Sequence, residues 1–226
     1  MDFYIEWKNS AYDIEKFIKY TKKFLNKEEE TVRPFINGTE EELKKICIFL
    51  LSIPIETFIY CINEKCDYNA ENIVQFSNMN HSIIEVPKLL KFDTKQLTFN
   101  ELGEKLVHAK KEGANKKYGE NHSKLAEELM LVTFSKKGST IIENTSFGNF
   151  SISISNEDRL ELIKRIFIRN NFAKEVIREA KNNEVNYMDL AMKVLSESTA
   201  IRRKSNVKQL LMLTLKDTCL WKRIEW

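Results

Sequence analysis

The fold is decided by the stretch Ser196-Glu-Ser-Thr-Ala-Ile-Arg-Arg-Lys-Ser-Asn-Val-Lys-Gln-Leu-Leu-Met-Leu213. From Ser198 to Leu211 it holds four basic residues and no acidic one, and its main apolar run begins at Val207. A helix of this kind anchors its far end in a small core and presents its basic front end to a polyanion. The free N–H groups and the dipole at the helix start add to that positive field. The pattern therefore predicts a nucleic-acid-binding helix.

A second basic segment lies earlier in the chain and reads Ala114-Asn-Lys-Lys-Tyr-Gly-Glu-Asn-His-Ser-Lys-Leu-Ala-Glu-Glu-Leu-Met130. Residues 105–124 contain six lysines against two glutamates, so this region carries a local positive excess. Residues 110–118 are predicted to form a polar loop, which leads into a helix with leucines on its apolar side. Two basic units in one chain make double-stranded DNA the first partner to test.

The composition bounds the fold class more firmly than the function. The chain has 226 residues, 42% of them hydrophobic, with only six glycines and three prolines. Such a sequence predicts a packed and mainly helical protein, either one large domain or two to three small ones. The net charge is only +3, because 36 basic residues face 33 acidic ones. Where the charges cluster is therefore more informative than their sum.

The sequence argues against a metal site, a membrane span and a signal peptide. Cys61 and Cys66 have no second Cys or His pair to complete a zinc site, so we expect reduced thiols, no metal and no cofactor. The longest apolar run, residues 46–61, is broken by Pro54 and Glu56 and is too short to span a bilayer. The start of the chain does not resemble a signal peptide. We therefore expect a cytoplasmic protein without membrane contact.

Catalytic motifs are also missing from the sequence. Glu6-Trp-Lys8 has the spacing of a metal-dependent nuclease motif, but the only aspartate ahead of it is Asp2. His122 stands without a second residue to form a catalytic pair, and no glycine-rich phosphate loop is present. The sequence therefore predicts a binding protein and not an enzyme.

Three regions follow one another along the chain. Residues 1–92 are predicted to form an N-terminal helical domain, in which the capping box Thr39-Glu-Glu-Glu42 opens a helix. Its last part, with short helices before residue 77, also allows a degenerate helix-turn-helix. The predicted fold is thus mainly α with small β-wings, in which two winged helix-turn-helix units follow this domain.

The two winged units are predicted at residues 93–155 and 156–226. In the first, Thr98 caps a helix with Gly103 on its packed side, and a hairpin rich in β-branched residues follows the basic helix. In the second, a short helix and a turn lead into the basic helix from Thr199 to about residue 215. Residues 218–226 are predicted to form a strand, the remnant of a truncated wing.

Three motifs in this order resemble the tandem winged-helix DNA-binding regions of prokaryotic restriction–modification and phage-defence proteins. They are Tyr118-Gly-Glu-Asn-His-Ser-Lys-Leu-Ala126, Arg165-Ile-Phe-Ile-Arg169 and Ser196-Glu-Ser-Thr-Ala-Ile-Arg-Arg-Lys-Ser-Asn-Val207. The resemblance covers about residues 96–226. It implies a part that recognises DNA sequence and works with a nuclease or a methyltransferase subunit. The end of the last helix, Gln209-Leu-Leu-Met-Leu-Thr-Leu215, departs from the aromatic-rich end common in that family.

In the first unit the candidate DNA contacts lie around the start of the basic helix. An asparagine there suits adenine in the major groove, whereas serine, tyrosine and lysine favour phosphate or sugar. The alternative is a solvated loop followed by a helix that Asn121 caps. The candidate residues are Lys116, Lys117, Tyr118, Asn121, His122, Ser123 and Lys124.

In the second unit the candidates occupy the first turns of the basic helix. Either Arg202 or Arg203 is expected to bind guanine or, equally, phosphate. The alternative is a helix cap followed by a solvated basic face. The candidate residues are Ser198, Thr199, Arg202, Arg203, Lys204, Ser205, Asn206 and Lys208.

The sequence thus predicts a protein that binds double-stranded DNA, as the recognition component of a restriction–modification or anti-phage system. Its N-terminal domain is expected to hold a partner subunit or a second copy of the chain. Two alternatives stay open. One is a stand-alone transcriptional regulator, and the other is a scaffold, because winged helices also serve as protein–protein modules.

Overall fold

The computed structural model describes residues 14–92, 95–107 and 112–226. Over these ranges the chain is mainly helical, with a small three-stranded antiparallel sheet. The predicted fold class is confirmed at this level. The Glu6-Trp-Lys8 motif lies outside the described residues.

Within residues 14–61 the structure describes four helices: α1 (Ile14–Leu25), α2 (Glu29–Asn37), α3 (Glu40–Ser52) and α4 (Ile55–Cys61). The capping box that opens α3 is confirmed. The Thr39 hydroxyl accepts from the Glu42 backbone N–H at 3.2 Å, and the Glu42 carboxylate accepts from the Thr39 N–H at 2.8 Å. Each bond satisfies a donor that the first helical turn leaves unpaired.

An irregular segment connects α4 to the sheet. It contains a single 3-10 turn (Ala70–Asn72) and a π-helical turn (His81–Glu85) that runs into α5 (Val86–Phe92). Residues 70–76, predicted as a short helix, instead form a 3-10 turn over Ala70–Asn72 and no helix beyond it. A helix-turn-helix in this part of the chain does not form.

The middle of the chain folds in the order β1 (Gln96–Thr98), α6 (Phe99–Val107), α7 (Glu112–Glu128), β2 (Val132–Lys137) and β3 (Ser139–Asn144). The strands lie in the order β1-β3-β2, with all neighbours antiparallel. Ile142 of β3 is fully buried and faces a residue of each outer strand.

Residues 112–118, predicted as a loop, instead form the first turns of α7, which is a correction. Two glycines explain how this polar stretch packs. A Cβ on Gly119 would lie 1.9 Å from the carbonyl oxygen of Phe99, and one on Gly103 would lie 1.9 Å from that of Asn115. The backbones of α6 and α7 therefore touch directly, as Gly103 predicted. The buried face of early α7 carries glycine and asparagine, so it shows no helical repeat of apolar residues by which the sequence could have predicted it.

The last part of the chain contains α8 (Ser146–Ser151), α9 (Asn156–Phe167), α10 (Asn171–Asn182), β4 (Val185–Asn186), α11 (Tyr187–Ala191), α12 (Glu197–Leu215) and β5 (Ile224–Glu225). The basic helix α12 is confirmed and begins two residues earlier than predicted. The predicted strand over 218–226 is instead a 3-10 helix (Cys219–Arg223) followed by β5. Because β5 pairs with β4 in parallel, the described residues of this region form no hairpin wing.

Buried arginines join the three predicted regions. Arg165 of α9 donates from Nη2 to the carbonyl of Ile53, just beyond α3, at 3.1 Å. Arg169 donates from Nε to the carbonyl of Phe24 in the last turn of α1, at 2.9 Å. A cation at a helix C-terminus can bond the carbonyls of the last turn, and the helix dipole favours it there. Contacts therefore cross both predicted limits, near residues 92 and 155, and one hydrophobic core extends through all three regions.

Candidate nucleic-acid interface

The outward face of α7 carries three of the predicted contacts. Lys116, Lys117 and Lys124 are all exposed. Lys117 and Lys124 both form ion pairs with the carboxylate of Glu120, at 2.9 and 2.8 Å. Of these three lysines, Lys116 is the one that forms no ion pair with Glu120.

Two predicted contacts on α7 are buried, which is a correction. His122 is 0% exposed, and its ring bridges two hydroxyls: Nδ1 lies 2.8 Å from Ser82 Oγ and Nε2 lies 3.1 Å from Ser77 Oγ. Burial, with a further effect from His81, lowers the pKa of His122 to about 4. Ser123, also 0% exposed, donates its hydroxyl proton to the carbonyl of Gly119. Neither side chain is available to a duplex.

The other two predicted residues of α7 are half-buried. The Tyr118 hydroxyl lies 3.0 Å from His81 Nδ1, which ties it to the π-helical turn. Asn121 lies in the middle of α7, nine residues after Glu112, where the helix begins. Asn121 is therefore not the helix cap that the alternative interpretation required.

On α12 the structure separates two neighbouring arginines. Arg202 is exposed, whereas Arg203 turns inward and donates from Nη1 to the carbonyls of Ala70 and Ile73, at 2.7 and 2.5 Å. Burial lowers the pKa of Arg203, and the neighbouring charge of Arg202 lowers it further. The guanidinium of Arg203 is thus used inside the protein, and its assignment as a DNA contact is corrected.

Asn206 is also committed to an internal contact. It is 8% exposed and donates from Nδ2 to the carbonyl of Phe76, at 2.6 Å. Lys208 is exposed, with its ammonium 5.6 Å from the centre of the Trp226 ring. Asn206 is therefore a further correction, whereas Lys208 keeps a charge at the surface.

The remaining candidates of α12 are at least partly accessible. Ser198 and Ser205 are exposed, and Thr199 and Lys204 are half-buried. Ser196 occupies the N-cap position, but its side chain accepts no hydrogen bond from the first turn. Its hydroxyl instead donates to Thr199 Oγ1 at 3.0 Å. The Ser196 side chain therefore does not occupy the backbone N–H groups at the start of α12.

Residues 69–82 bring the two basic helices together; we call this segment the brace. On one side it accepts the bonds from Arg203 and Asn206 of α12, and on the other its serines bond His122 of α7. A cleft of about 120 Å³ lies at this junction. Side chains of both helices line it, namely Lys117, Asn121, Lys124, Leu125 and Arg203. The sequence had placed the two helices in separate units, and no local signal in the brace indicated this role.

The hairpin adds a basic tip that is not among the contacts predicted from the sequence. Lys136 is exposed near the end of β2, and Gly138 makes the turn with φ +79°. A lysine before a tight glycine turn is the signal that could have identified it. On α12, Ile201 and Gln209 are exposed as well and were also missed. They lie three or four residues from predicted contacts, which is the spacing of one helix face.

The structure also bears on metal binding and membrane insertion. Within residues 14–92, 95–107 and 112–226, no three His, Cys, Asp or Glu side chains gather as a metal site would require. In those ranges no helix combines the length and the apolar character needed to cross a bilayer. Comparison with protein-family models, curated proteins and solved structures finds no match for this chain.

Proposed function

We propose that this protein binds double-stranded DNA, as the recognition component of a restriction–modification or anti-phage system. One observation carries the proposal. Residues 96–144 follow the order strand, helix, helix, hairpin, and β1 completes the sheet beside β3. This is the order of a winged helix, in which the second helix enters the major groove and the hairpin lies along the backbone. Here α7 takes the place of that helix and the β2–β3 turn that of the wing.

The charge distribution supports the same proposal. Lys116 at the start of α7 and Lys136 at the hairpin tip are both exposed. Exposed lysines at these two places suit the phosphates that flank a major groove. The pairing of Lys117 and Lys124 with Glu120 weakens the field of α7, so we assign the larger electrostatic contribution to α12.

Three of the four basic residues of α12 lie in its N-terminal half, and no acidic residue lies between Ser198 and Leu211. Arg202 is exposed, and the N–H groups of the first turn receive no bond from the Ser196 side chain. A phosphate at this helix end would gain both the N–H donors and the helix dipole. Because α7 and α12 line one cleft, we propose that a single duplex contacts both.

The test is binding of a fluorescent duplex, measured by anisotropy between about 50 and about 200 mM salt. We expect the logarithm of the affinity to fall linearly with the logarithm of salt, with a slope of several. The double variant Arg202→Ala/Lys204→Ala should bind about tenfold or more weakly and with a slope smaller by about one to two.

The matched control is Lys216→Ala/Lys222→Ala. It removes the same charge from exposed positions at and beyond the other end of α12. Its affinity should stay within about twofold of the parent protein, since charges away from the interface add little. If the parent protein binds no duplex at the lowest salt, the DNA proposal is wrong and the scaffold alternative takes its place. A nuclease or methyltransferase encoded beside this chain would favour a defence role over a transcriptional regulator.

A further inference from the structure

The rotation of α12 about its own axis is fixed by contacts on its inner face. The carbonyl of Ala200 accepts from the Tyr187 hydroxyl at 3.1 Å, and Arg203 and Asn206 donate to the brace. Further along, Val207, Leu210 and other residues are buried in the core. These contacts repeat every three to four residues, so they determine which side chains face outward over the whole helix.

Six of the outward side chains form one continuous stripe, which exposed Lys208 borders on one side and exposed Glu197 precedes at the start of the helix. All six are exposed, and they follow one another at spacings of three, one, three, four and three residues. Since each residue turns an α-helix by 100°, these spacings keep the six side chains within about 100° of the helix circumference. We call this set the α12 stripe. It consists of Ser198, Ile201, Arg202, Ser205, Gln209 and Met212.

The chemistry of the α12 stripe differs from that of a solvated basic face. Only Arg202 in it is charged, whereas Ile201 is 58% exposed and Met212 is 42% exposed. Within the described part of the chain, Arg202 and Gln209 form no hydrogen bond that would commit their planar donor groups. Apolar groups at these positions add nothing to phosphate binding, which needs only charge and N–H or O–H donors.

We infer that the α12 stripe reads base edges in the major groove and gives the DNA binding its sequence preference, with Arg202 bound to a guanine and Gln209 to an adenine. The inference rests on the proposed function. Arginine bonds O6 and N7 of guanine, and glutamine bonds N6 and N7 of adenine, each through two parallel hydrogen bonds. Ile201 lies beside Arg202 and suits the methyl group of a thymine.

The spacing of the two planar groups sets the spacing of the bases. Seven residues separate Arg202 from Gln209, which is about 10 Å along a helix. Stacked bases rise about 3.4 Å along each strand, so the two purines lie about three base pairs apart. A major groove is about 12 Å wide and admits an α-helix. A protein partner fits less well, because α12 carries four basic residues and no acidic one from Ser198 to Leu211, which favours a polyanion.

The experiment starts with selection of duplexes from a random pool by the intact protein. Binding is then compared between the selected duplex and duplexes with one base pair changed. Arg202→Lys keeps the charge and removes the planar fork, and Gln209→Ala removes a neutral amide. Asn37→Ala, an exposed amide at the end of α2, is the control. The melting temperature of each variant establishes that it folds.

We expect the parent protein to prefer a guanine and an adenine about three base pairs apart. Arg202→Lys should lower discrimination at the guanine by about fivefold or more, and Gln209→Ala should do so at the adenine. Asn37→Ala should keep both the affinity and the base preference of the parent protein within about twofold. If the parent protein binds every duplex equally, or if both variants keep its preference, the inference is overturned while DNA binding stands. If the parent protein binds no duplex, the proposed function fails, and the inference with it.

Discussion

Nη1 of Arg203 lies 2.5 Å from the carbonyl oxygen of Ile73, a residue 130 positions earlier in the chain. The same nitrogen also reaches the carbonyl of Ala70, so one guanidinium satisfies two acceptors of the brace. Arg202, its neighbour, is exposed. Two adjacent arginines in one basic cluster therefore have different tasks, one in holding α12 to the brace and one at the surface.

We predict that Arg203→Ala destabilises the protein by about 2 kcal/mol, because two carbonyls of the brace lose a charged donor. Arg202→Ala should change stability by no more than about 0.5 kcal/mol, as is usual for an exposed side chain. Urea unfolding of both variants measures the difference. Equal destabilisation by the two substitutions would contradict the assignment of Arg203 to the interior.

Arg169 should be among the most sensitive positions for stability. It is 5% exposed, donates to the Phe24 carbonyl and lies 4.6 Å from the centre of the Phe24 ring. We predict that Arg169→Ala costs about 3 kcal/mol, since the Phe24 carbonyl loses a charged donor and the core loses the packing of a buried side chain. The control is Arg33→Ala, which breaks an exposed ion pair with Glu42 and should cost at most about 1 kcal/mol. Thermal or urea unfolding compares them, and similar losses for both would argue against a structural role for Arg169.

The buried His122 should make stability depend on pH. Its pKa is about 4 in the folded protein, below the ordinary value of 6.5, because burial disfavours the charged ring. The unfolded chain therefore binds more protons between these two values, and stability falls as the pH drops from 6.5 toward 4. We expect a loss of about 2 kcal/mol between pH 7.5 and 4.5 from this residue.

The measurement is urea unfolding at several pH values for the parent protein and for His122→Gln. Glutamine keeps hydrogen-bonding groups near Ser77 and Ser82 but does not titrate. The variant should show a smaller loss of stability over this range, although its stability at neutral pH is also lower. Parallel pH profiles for the two proteins would show that His122 does not titrate as its burial requires.

Two glycines of α7 should respond in opposite ways to alanine. A Cβ at Gly119 would meet the backbone of α6 at 1.9 Å, whereas one at Gly113 would meet nothing within 4 Å. We predict that Gly119→Ala destabilises by about 2 kcal/mol or more, because backbone atoms cannot move aside cheaply. Gly113→Ala should stabilise by up to about 1 kcal/mol through its helix propensity. Unfolding measurements that gave both variants the same sign would contradict the close contact of α6 and α7.

Features that depend on near neighbours in the chain could be predicted. The capping box of Thr39 and Glu42 spans three residues, and the basic start of α12 is a property of consecutive side chains. The mainly helical fold belongs to the same class. In each case the interaction that forms the element lies within one or two helical turns, so the sequence alone specifies it.

The early turns of α7 could not be predicted, although they are equally local. Their inner face is built from Asn115 and Gly119, neither of which gives an apolar period. The helix is stabilised there by close contact with α6, which is a tertiary interaction. His122 was then assigned to a polar surface, because its burial follows from the brace packed against it.

The sequence by itself determined that the protein is mainly helical and that two of its segments are basic. Only the tertiary structure decided which of those basic and polar side chains reach the surface. Arg202 and Arg203 have the same chemistry and differ by about 100° around α12, so local propensity cannot distinguish them. The distinction depends on where residues 70–76 lie in space, and a contact across 130 residues of chain leaves no trace in local sequence.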